Sequence, residues 1–319
     1  MRVYVVLVNY NNAHDTIECL QSLAALSGRE SCQIIVCDNA STDSSYVEIA
    51  EWIRVTAARQ ITLIQSDKNG GFAAGCNVGI TRGLADPEMA YVWLVNNDTV
   101  VDSHSLNYLI ECIQRDPAIG VAGSTLCYAH SPETIQAVGG TFIPWLGLSS
   151  RVAEGARYSR SFCHSVQAST FDYIVGASFF MSRRVIEAVG LLDESYFLYC
   201  EEIDYCTRAK QAGFTLGYAA DSLVFHKEGA TTGSAKRIPR RSRSEFADRC
   251  ALRSQSLYVK KFHKRLLPVL ALCFLLRALR RTFFADWQGC GRALVASYRL
   301  IVSRDLALGG GPRTASGRV

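Results

Sequence analysis

Four short apolar runs, each followed by polar residues, constrain the fold of this chain more than any other feature. The runs lie at residues 3–8, 34–37, 61–65 and 91–95, and helical periodicity marks residues 15–26 and 44–57. Short runs rich in β-branched and aromatic residues are typical of strands buried on both faces of a parallel sheet. Strands that alternate with helices pair in parallel through right-handed crossovers. The sequence therefore predicts an α/β fold with a mostly parallel, doubly wound sheet.

Polar residues directly follow each predicted strand, where the carboxyl edge of the sheet would lie. Ligands of open α/β sheets bind just beyond this edge. Asp98 ends the sequence Asn96-Asn97-Asp98 after the fourth run, so it is a candidate ligand for a metal ion. Asn and Asp are also ordinary turn residues, and an acid such as Asp38 or Asp43 after the second run can cap a helix. Capping is the favoured interpretation for Asp43, whereas both interpretations stay open for Asp38.

A glycine-rich loop is predicted at residues 69–79, after the third run. Its glycines either serve turns and helix packing or let backbone N–H groups approach a phosphate at a helix N-terminus. The spacing matches neither the P-loop pattern nor the Rossmann G-x-G-x-x-G pattern. Nucleoside triphosphatases and common dehydrogenases are therefore disfavoured.

Gly176 and Ala177 separate two further predicted strands, at residues 171–175 and 178–181. Small residues at this point would admit a substrate hydroxyl close to the backbone. A β-bulge is the alternative interpretation, because glycine inside a strand pattern often marks one.

The acids Glu201, Glu202 and Asp204 open a predicted helix. The helix macrodipole favours acids in a first turn, which explains at least two of them without any catalytic role. His226 follows a predicted strand at residues 222–225, and a lone histidine in this position is more often structural than a ligand. Taken singly, these residues do not define a site.

Taken together, the motifs resemble the nucleotide-sugar-binding motifs of family 2 glycosyltransferases with the GT-A fold, most closely the bacterial rhamnosyltransferase branch. The matching segments are residues 8–11, 38–43, 69–77, 96–98, 176–178 and 199–204, with Asp193 and His226. The resemblance covers roughly residues 1–230. Each motif is weak by itself, but their order and spacing together are highly specific.

The resemblance implies a nucleotide-sugar donor and residues that bind it. The donor-binding residues would be Asn9, Tyr10, Asp38, Asn69, Gly70, Gly71, Phe72, Asn77 and Asn97. In the family, the acid matching Asp38 contacts the base of the nucleotide. The segment matching residues 69–77 lies over the ribose and the diphosphate.

The resemblance also implies a divalent cation, Mg²⁺ or Mn²⁺, held by the acid matching Asp98. His226 becomes a second metal or diphosphate contact, and Gly176 with Ala177 would face the acceptor. An acid of the later motif acts as general base in the family, where an aspartate usually occupies the position of Glu202. Because Glu202 is longer by one methylene, the base is either Glu202 or Asp204.

Charge divides the chain into an acidic and a basic part. Residues 1–226 carry 14 Lys/Arg and 24 Asp/Glu (−10), whereas residues 227–319 carry 20 and 5 (+15). Basic clusters flank an uncharged run at 266–276, whose length of about 16 Å is too short to span a bilayer. The sequence predicts an amphipathic helix on an anionic membrane surface, with a core helix as the alternative. The apolar run favours a membrane over nucleic acid as the partner.

The predicted organisation is a catalytic domain at 1–235, a basic helical membrane-associating region at 236–308 and a disordered tail at 309–319. Twelve cysteines without C-x-x-C spacing, and an N-terminus without a signal-peptide pattern, favour a cytoplasmic location. The protein is expected to act peripherally at the inner face of the cytoplasmic membrane.

The function implied by the resemblance is that of an inverting glycosyltransferase in surface polysaccharide synthesis. It would move rhamnose from dTDP-rhamnose to a lipid-linked glycan acceptor. Alternatives are a transferase of the same fold that uses another hexose or a galactofuranose donor, and a catalytically silent nucleotide-sugar-binding membrane protein.

Overall fold

A nine-stranded β-sheet organises the N-terminal two thirds of the chain. The computed structural model describes residues 1–28, 31–227, 244–283 and 286–302. The strands are β1 (Arg2–Asn9), β2 (Cys32–Asp38), β3 (Ile61–Gln65), β4 (Met89–Val95), β5 (Thr99–Val101), β6 (Ile119–Tyr128), β7 (Ser131–Ala137), β8 (Gly140–Ile143), β9 (Leu148–Arg151), β10 (Ser178–Ser182) and β11 (Thr215–His226). The order across the main sheet is β3-β2-β1-β4-β10-β6-β11-β5, and β7 pairs with β6 off this path. Strands β8 and β9 form a separate two-stranded sheet.

The first four strands form a parallel half-sheet, as predicted. Consecutive residues of β1 such as Val5 and Val6 are buried on both faces, which explains the uninterrupted apolar runs. In the register of this half, Asn9 pairs with Asp38, and Asp38 pairs with Gln65. Three strands therefore end at the same level, which places their polar residues at one edge.

The second half of the sheet is mixed. Strand β10 runs antiparallel to both β4 and β6, and β11 runs parallel to β6 and antiparallel to β5. The strand predicted at residues 171–175 is wrong, because only an isolated bridge joins Tyr173 to Gly140. The rings of Phe171 and Tyr173 are buried against Gly139 and Gly140, which accounts for aromatic residues at these positions. A Cβ on Gly139 would lie 2.5 Å from the Phe171 ring, and a Cβ on Gly140 would lie 2.1 Å from the Tyr173 ring.

The helices are α1 (Ala13–Ala24), α2 (Ser45–Thr56), α3 (Phe72–Leu84), α4 (Ser105–Arg115), α5 (Arg160–Ser165), α6 (Arg183–Val189), α7 (Glu201–Gln211), α8 (Glu245–Phe262), α9 (Leu267–Phe283) and α10 (Trp287–Val302). Asp43 precedes Ser44, the N-cap residue of α2, and its Oδ1 accepts a hydrogen bond from the N–H of Ser45, the first helical residue, at 2.9 Å. The predicted glycine-rich loop is shorter than expected, because α3 already begins at Phe72. Gly75 and Gly79 let α3 pack on β1, where a Cβ would lie 2.7 Å and 2.4 Å from valine side chains.

The described chain divides into two compact units. The first comprises Met1–Ile143 with Leu148–Ser254, and the second comprises Pro144–Gly147 with the described residues from Gln255 onward. The predicted basic C-terminal part is helical in its described residues, within α8, α9 and α10. Across those residues, no helix is both long and apolar enough to cross a membrane. The basic residues at 236–243 and the tail predicted at 309–319 lie outside the described residues.

Candidate active site

A buried hydrogen-bond network joins the carboxyl ends of β1 and β2. Asn9 Nδ2 donates to Asp38 Oδ1 at 2.8 Å. The same carboxylate accepts hydrogen bonds from the hydroxyl of Ser41 at 2.6 Å and from its backbone N–H at 3.0 Å. Because these bonds satisfy a fully buried carboxylate, Asp38 orders the loop after β2. Its contact with a nucleotide base stays a prediction.

Thr16 of α1 extends this network to the end of β4. Its hydroxyl lies 2.8 Å from Asn9 Oδ1 and accepts a hydrogen bond from Asn97 Nδ2 at 2.9 Å. All three side chains are buried. Asn9 and Asn97 therefore fix the positions of neighbouring strand ends, and they would act on a donor by shaping the edge that receives it.

The loop between β3 and α3 is tied to the same edge by Asn39. Its Nδ2 donates to Asn69 Oδ1 at 3.0 Å and to the Gly71 carbonyl at 2.9 Å, and its Oδ1 accepts from the Gly70 N–H at 3.3 Å. Gly71 has φ +88°, and a Cβ there would lie 2.3 Å from the Phe197 carbonyl oxygen. Only glycine fits this close approach in a left-handed conformation.

The same close approach links the loop to the segment that precedes α7. The Phe72 N–H donates to the Phe197 carbonyl at 2.9 Å. Asn77 reinforces the link from within α3: its Nδ2 donates to the Leu192 carbonyl and to Glu194, and its Oδ1 accepts from the Leu192 N–H. Asn77 is buried, and these bonds give its side chain a positioning role; its contact with a donor stays a prediction.

Asp98 and His226 meet where the ends of β4 and β11 come together. His226 Nε2 lies 3.1 Å from Asp98 Oδ1, and the Lys227 N–H donates to the Asp98 carbonyl at 2.9 Å. On the other side of the ring, His226 Nδ1 lies 2.8 Å from the Oε1 atom of Gln136 in β7. Gln136 Oε1 can accept a hydrogen bond from Nδ1–H, and in that neutral tautomer the Nε2 lone pair faces Asp98.

This pair fits a divalent cation. In that tautomer, Asp98 Oδ1 and His226 Nε2 are two electron-pair donors 3.1 Å apart, and a positive charge near both atoms would stabilise them. Ligands at right angles, each about 2.1 Å from an octahedral ion, lie about 3 Å apart. A carbonyl group that holds the second nitrogen of a metal-binding histidine is a common supporting contact. Two protein ligands leave the other positions for phosphate oxygens and water.

Another group of candidate ligands, His14, Asp15 and Glu18, lies on α1. Lys227 Nζ contacts both Asp15 and Glu18. The Lys227 ammonium group thus already pairs with both acids, so the Asp98–His226 pair is the better candidate for a metal site.

Glu201 and Glu202 begin α7 after two strained residues. Tyr199 and Cys200 have φ 70° and 68°, a left-handed conformation that side chains other than glycine rarely adopt. Each glutamate has a buried Oε2 atom without a hydrogen-bond partner. Burial raises the pKa of Glu202 to about 7, and burial together with the charge of Glu202 raises the pKa of Glu201 well above its ordinary value. A carboxylate with one unpaired oxygen and a pKa near neutral pH is suited to take up a proton.

Asp204 has a different environment one turn along α7. Its carboxylate is fully buried, forms an ion pair with Arg208 Nε at 2.5 Å and accepts a hydrogen bond from the Tyr196 hydroxyl at 3.2 Å. Arg208 also donates to the carbonyls of Val189 and Leu191. These contacts assign Asp204 to holding the segment before α7, and they favour Glu202 as the base.

Gly176 and Ala177 form a turn before β10, so the β-bulge alternative is wrong. The Ala177 carbonyl accepts a hydrogen bond from the Asn96 N–H at 3.2 Å, which places the turn beside the Asp98 loop. A Cβ on Gly176 would meet only a Phe72 ring atom, at 4.0 Å. The space at Gly176 agrees with the predicted acceptor contact, which stays a prediction, as does the contact of the partly exposed Tyr10 with the donor.

Four residues of this site were missed in the sequence: Thr16, Asn39, Gln136 and Arg208. Asn39 adjoins Asp38, and Arg208 follows Asp204 by one helical turn, so local spacing gave a signal for both. Thr16 and Gln136 act over 81 and 90 residues of sequence, on Asn97 and His226. No local pattern reports such distant contacts.

Solved structures with the same fold are GT-A glycosyltransferases. GalNAc-T7 with UDP, GalNAc and Mn²⁺ matches with TM-score 0.59 at 16% identity, over 71% of this chain and 44% of that chain. The mannosyltransferase PcManGT from Pyrobaculum calidifontis, in complex with GDP-Man and Mn²⁺, matches with TM-score 0.55 at 14% identity, over 95% and 88%. TarS 1–349 from S. aureus, in complex with UDP-GlcNAc, matches with TM-score 0.53 at 15% identity, over 94% and 82%. The fold of this chain is therefore the GT-A fold.

The sequence narrows this class to one family. The family described as "Glycosyltransferase like family 2" matches residues 1–247, so the chain belongs to it. The low-salt glycan biosynthesis hexosyltransferase Agl10 of Haloferax volcanii is 24% identical over 70% of this chain, which spans 66% of that protein. The N-acetylglucosaminyl-diphospho-decaprenol L-rhamnosyltransferase of Mycobacterium tuberculosis is 23% identical over 72% of this chain and 77% of that protein.

Proposed function

We propose that the protein is an inverting glycosyltransferase that transfers a hexose from a nucleotide-sugar donor with the help of Mg²⁺ or Mn²⁺. The Asp98–His226 pair, oriented by Gln136 at the carboxyl edge of the sheet, is the observation that carries this proposal. It supplies a carboxylate and an imidazole at the edge where α/β folds bind phosphorylated ligands. Family membership and Mn²⁺ in two structural neighbours support the same conclusion.

In the proposed reaction, Glu202 accepts the proton of an acceptor hydroxyl while that oxygen attacks the anomeric carbon. Asp98 and His226 would hold the cation, and its positive charge would offset the negative charge on a departing nucleoside diphosphate. Asp204 and Arg208 keep α7 in place, so that the Glu202 carboxylate stays aligned. Because the oxygen attacks opposite the leaving group, the sugar is transferred with inversion.

We assign dTDP-rhamnose as the donor and a lipid-linked saccharide as the acceptor, used in building a surface polysaccharide. Support comes from the resemblance to the bacterial rhamnosyltransferase branch and from the mycobacterial relative, whose name gives rhamnose and a polyprenyl-linked N-acetylglucosamine. A second candidate is the same reaction with another hexose, favoured by the hexosyltransferase Agl10 and by neighbours that bind UDP-GlcNAc or GDP-Man. A lipid-linked acceptor places the enzyme peripherally at the inner face of the cytoplasmic membrane.

The test is a donor panel with purified full-length protein. dTDP-rhamnose, UDP-GlcNAc, GDP-mannose and UDP-galactofuranose are each incubated with Mn²⁺, Mg²⁺ or EDTA, with and without a short polyprenyl diphosphate-GlcNAc acceptor. We expect metal-dependent release of dTDP and a product heavier by one rhamnose, with the inverted anomeric configuration by NMR. Turnover of another donor selects the second candidate. Absence of nucleotide release from every donor in the presence of metal would refute glycosyl transfer.

A further inference from the structure

Helix α9 carries two apolar faces. Its inner face, consisting of Leu270, Ala271, Phe274 and Ala278, is buried. Its outer face exposes Leu272, Leu276, Leu279 and Phe283, the last with 87% of its surface accessible. These four residues recur at helical spacing and form one stripe. The apolar run predicted at 266–276 therefore divides between the two faces, and the exposed stripe continues beyond it.

Helix α10 repeats this arrangement. Cys290, Ala293 and Ser297 are buried, while Trp287, Leu294, Tyr298 and Ile301 are exposed at intervals of seven, four and three residues. Val295 adds a further exposed side chain beside this stripe. The sequence pattern at 266–276 gave no indication of this second exposed face.

The inner faces of α9 and α10 pack on each other. Small residues meet there, with Ala278, Cys290 and Ala293 in one cluster, and Ser297 Oγ donates to the Ala271 carbonyl at 2.9 Å. The two helices thus form a hairpin with its own packed interior. Its outer apolar side chains are not needed to hold the two helices together.

Exposed apolar side chains on this scale require a partner. A soluble monomer rarely exposes contiguous apolar patches larger than a few hundred Å². The exposed stripes of this hairpin hold eight large apolar residues, with Val295 beside them, on two helices of 17 and 16 residues. We define the outer face of the hairpin as these stripes of α9 and α10.

Charge indicates the kind of partner. Residues 255–302 contain nine Lys/Arg and one acid, Asp286. Lys261, Lys264, Arg280 and Arg299 are exposed. Arg280 lies between Leu276 and Phe283 at helical spacing, which lets its stem cover apolar surface while its guanidinium reaches outward. An apolar face bordered by cations is complementary to a surface that is negative at its boundary and apolar beneath.

We infer that the outer face of the α9–α10 hairpin inserts into the headgroup region of an anionic lipid membrane, with both helices lying in the plane of the surface. Helices of this kind bury their apolar faces about 5–10 Å deep. Trp287 and Tyr298 suit that depth, because their rings are apolar and their polar atoms reach water. A second copy of the chain is a poorer occupant, since the cations that border the apolar faces of two copies would repel each other.

This inference concerns where the proposed transfer takes place, and it is tested without any sugar donor or acceptor. Full-length protein is floated with vesicles of phosphatidylcholine containing 30% phosphatidylglycerol, and with vesicles of phosphatidylcholine alone. The test variant is Leu276→Glu with Leu279→Glu. The matched control is Val47→Glu with Val55→Glu on α2, where both valines are 67% exposed and the change in charge is the same.

We expect the wild type to float with the anionic vesicles, and the α9 variant to lose about tenfold or more of its partition coefficient. The α2 variant should bind as the wild type does. A second variant, Tyr298→Glu with Ile301→Glu, should repeat the loss through α10. Brominated lipids should quench wild-type fluorescence more strongly than that of Trp287→Phe, since Trp287 is the inserted tryptophan.

Two control measurements accompany the vesicle experiment. Thermal unfolding shows that each variant is folded, and analytical ultracentrifugation gives its oligomeric state. Equal flotation of the wild type and both glutamate variants of the hairpin would overturn the inference. So would a wild-type dimer that ignores vesicles and becomes a monomer in the α9 variant, because the outer face would then bind a second copy. Neither result bears on the donor panel described above, which tests glycosyl transfer separately from membrane binding.

Discussion

Replacing Glu202 and Asp204 in parallel separates a base from a residue that holds the base in place. Glu202→Gln keeps the shape of the side chain but removes the group that accepts the proton. Loss of a general base typically lowers a rate about 10² to 10⁴-fold, which corresponds to about 3 to 5 kcal/mol in the activation barrier. Donor affinity, measured by calorimetry with Mn²⁺, should stay close to that of the wild type.

The dependence of the rate on pH follows from the burial of Glu202. Its pKa of about 7 means that the base is mostly protonated below neutral pH. With saturating donor, the rate at pH 6 should be about tenfold below its plateau, because about a tenth of the carboxylate is ionised there. The residual rate of Glu202→Gln should lose this acidic limb.

The same pKa shift makes a claim about stability. Burial raises the pKa of Glu202 from 4.5 in the unfolded chain to about 7 in the folded one. The stabilising effect of protonation is therefore complete below pH 4.5 and is lost as the pH rises through 7. A shift of this size corresponds to about 3 kcal/mol. Glu202→Gln should therefore be about as stable as the wild type at pH 4 and more stable at pH 8, in urea unfolding monitored by circular dichroism.

Asp204→Asn should behave in the opposite way. It breaks the buried ion pair with Arg208, and removal of one partner of such a pair costs about 3 to 5 kcal/mol of stability. The folded fraction should keep a rate within a few-fold of the wild type, with the acidic limb still present. The reasoning is refuted if folded Asp204→Asn is inactive while Glu202→Gln turns over normally.

Three further substitutions test the metal site and the glycine loop. Asp98→Ala should abolish transfer and make donor affinity insensitive to EDTA, since the main carboxylate ligand is lost; Asp116→Ala, at an exposed acid, should change neither. Gln136→Leu should weaken Mn²⁺ binding about 10 to 100-fold in titrations with dTDP, because His226 loses the group that orients it. Gly71→Ala should lower the free energy of unfolding by about 3 kcal/mol, since its Cβ would lie 2.3 Å from a backbone oxygen.

Each of these three predictions can be contradicted by a specific result. Normal metal-dependent turnover by Asp98→Ala would show that Asp98 is an ordinary turn residue and not a metal ligand. Gln114→Leu, at an exposed glutamine, is the control for Gln136→Leu, and equal Mn²⁺ affinity in both would remove the orienting role. Gly155→Ala isolates backbone strain, because Gly155 has φ +81° with nothing within 4 Å of a Cβ. If both alanine variants lose the same stability, the close approach at Gly71 is unimportant.

Local pattern was enough to predict the parallel half of the sheet and the edge that carries the site. Strands β1, β2 and β4 are buried on both faces, so their apolar runs are continuous, and Asp38 and Asp98 lie where two of these runs stop. The same rule failed at residues 171–175, where apolar rings pack against glycines without joining the ladder. A continuous apolar run reports burial, and burial does not require a strand.

The supporting residues that are distant in sequence from their partners, Thr16 and Gln136, were beyond the reach of local pattern. Gln136 acts on His226 across 90 residues, and the choice between Glu202 and Asp204 depended on partners outside their own helical turn. Two neighbouring acids in one motif look alike in sequence. Their environments differ because Arg208 and Tyr196 surround only one of them.

The buried network of Asn9, Thr16, Asp38 and Asn97 has a consequence for attempts to change the sugar or nucleotide that the enzyme accepts. Each member is a hydrogen-bond partner of another, so a single replacement leaves a neighbour unsatisfied in a place that water does not reach. Substitutions that are harmful one at a time can then be tolerated in pairs. Engineering of donor choice at this edge should therefore proceed by libraries that vary coupled positions together, because a search by single steps would discard the useful intermediates.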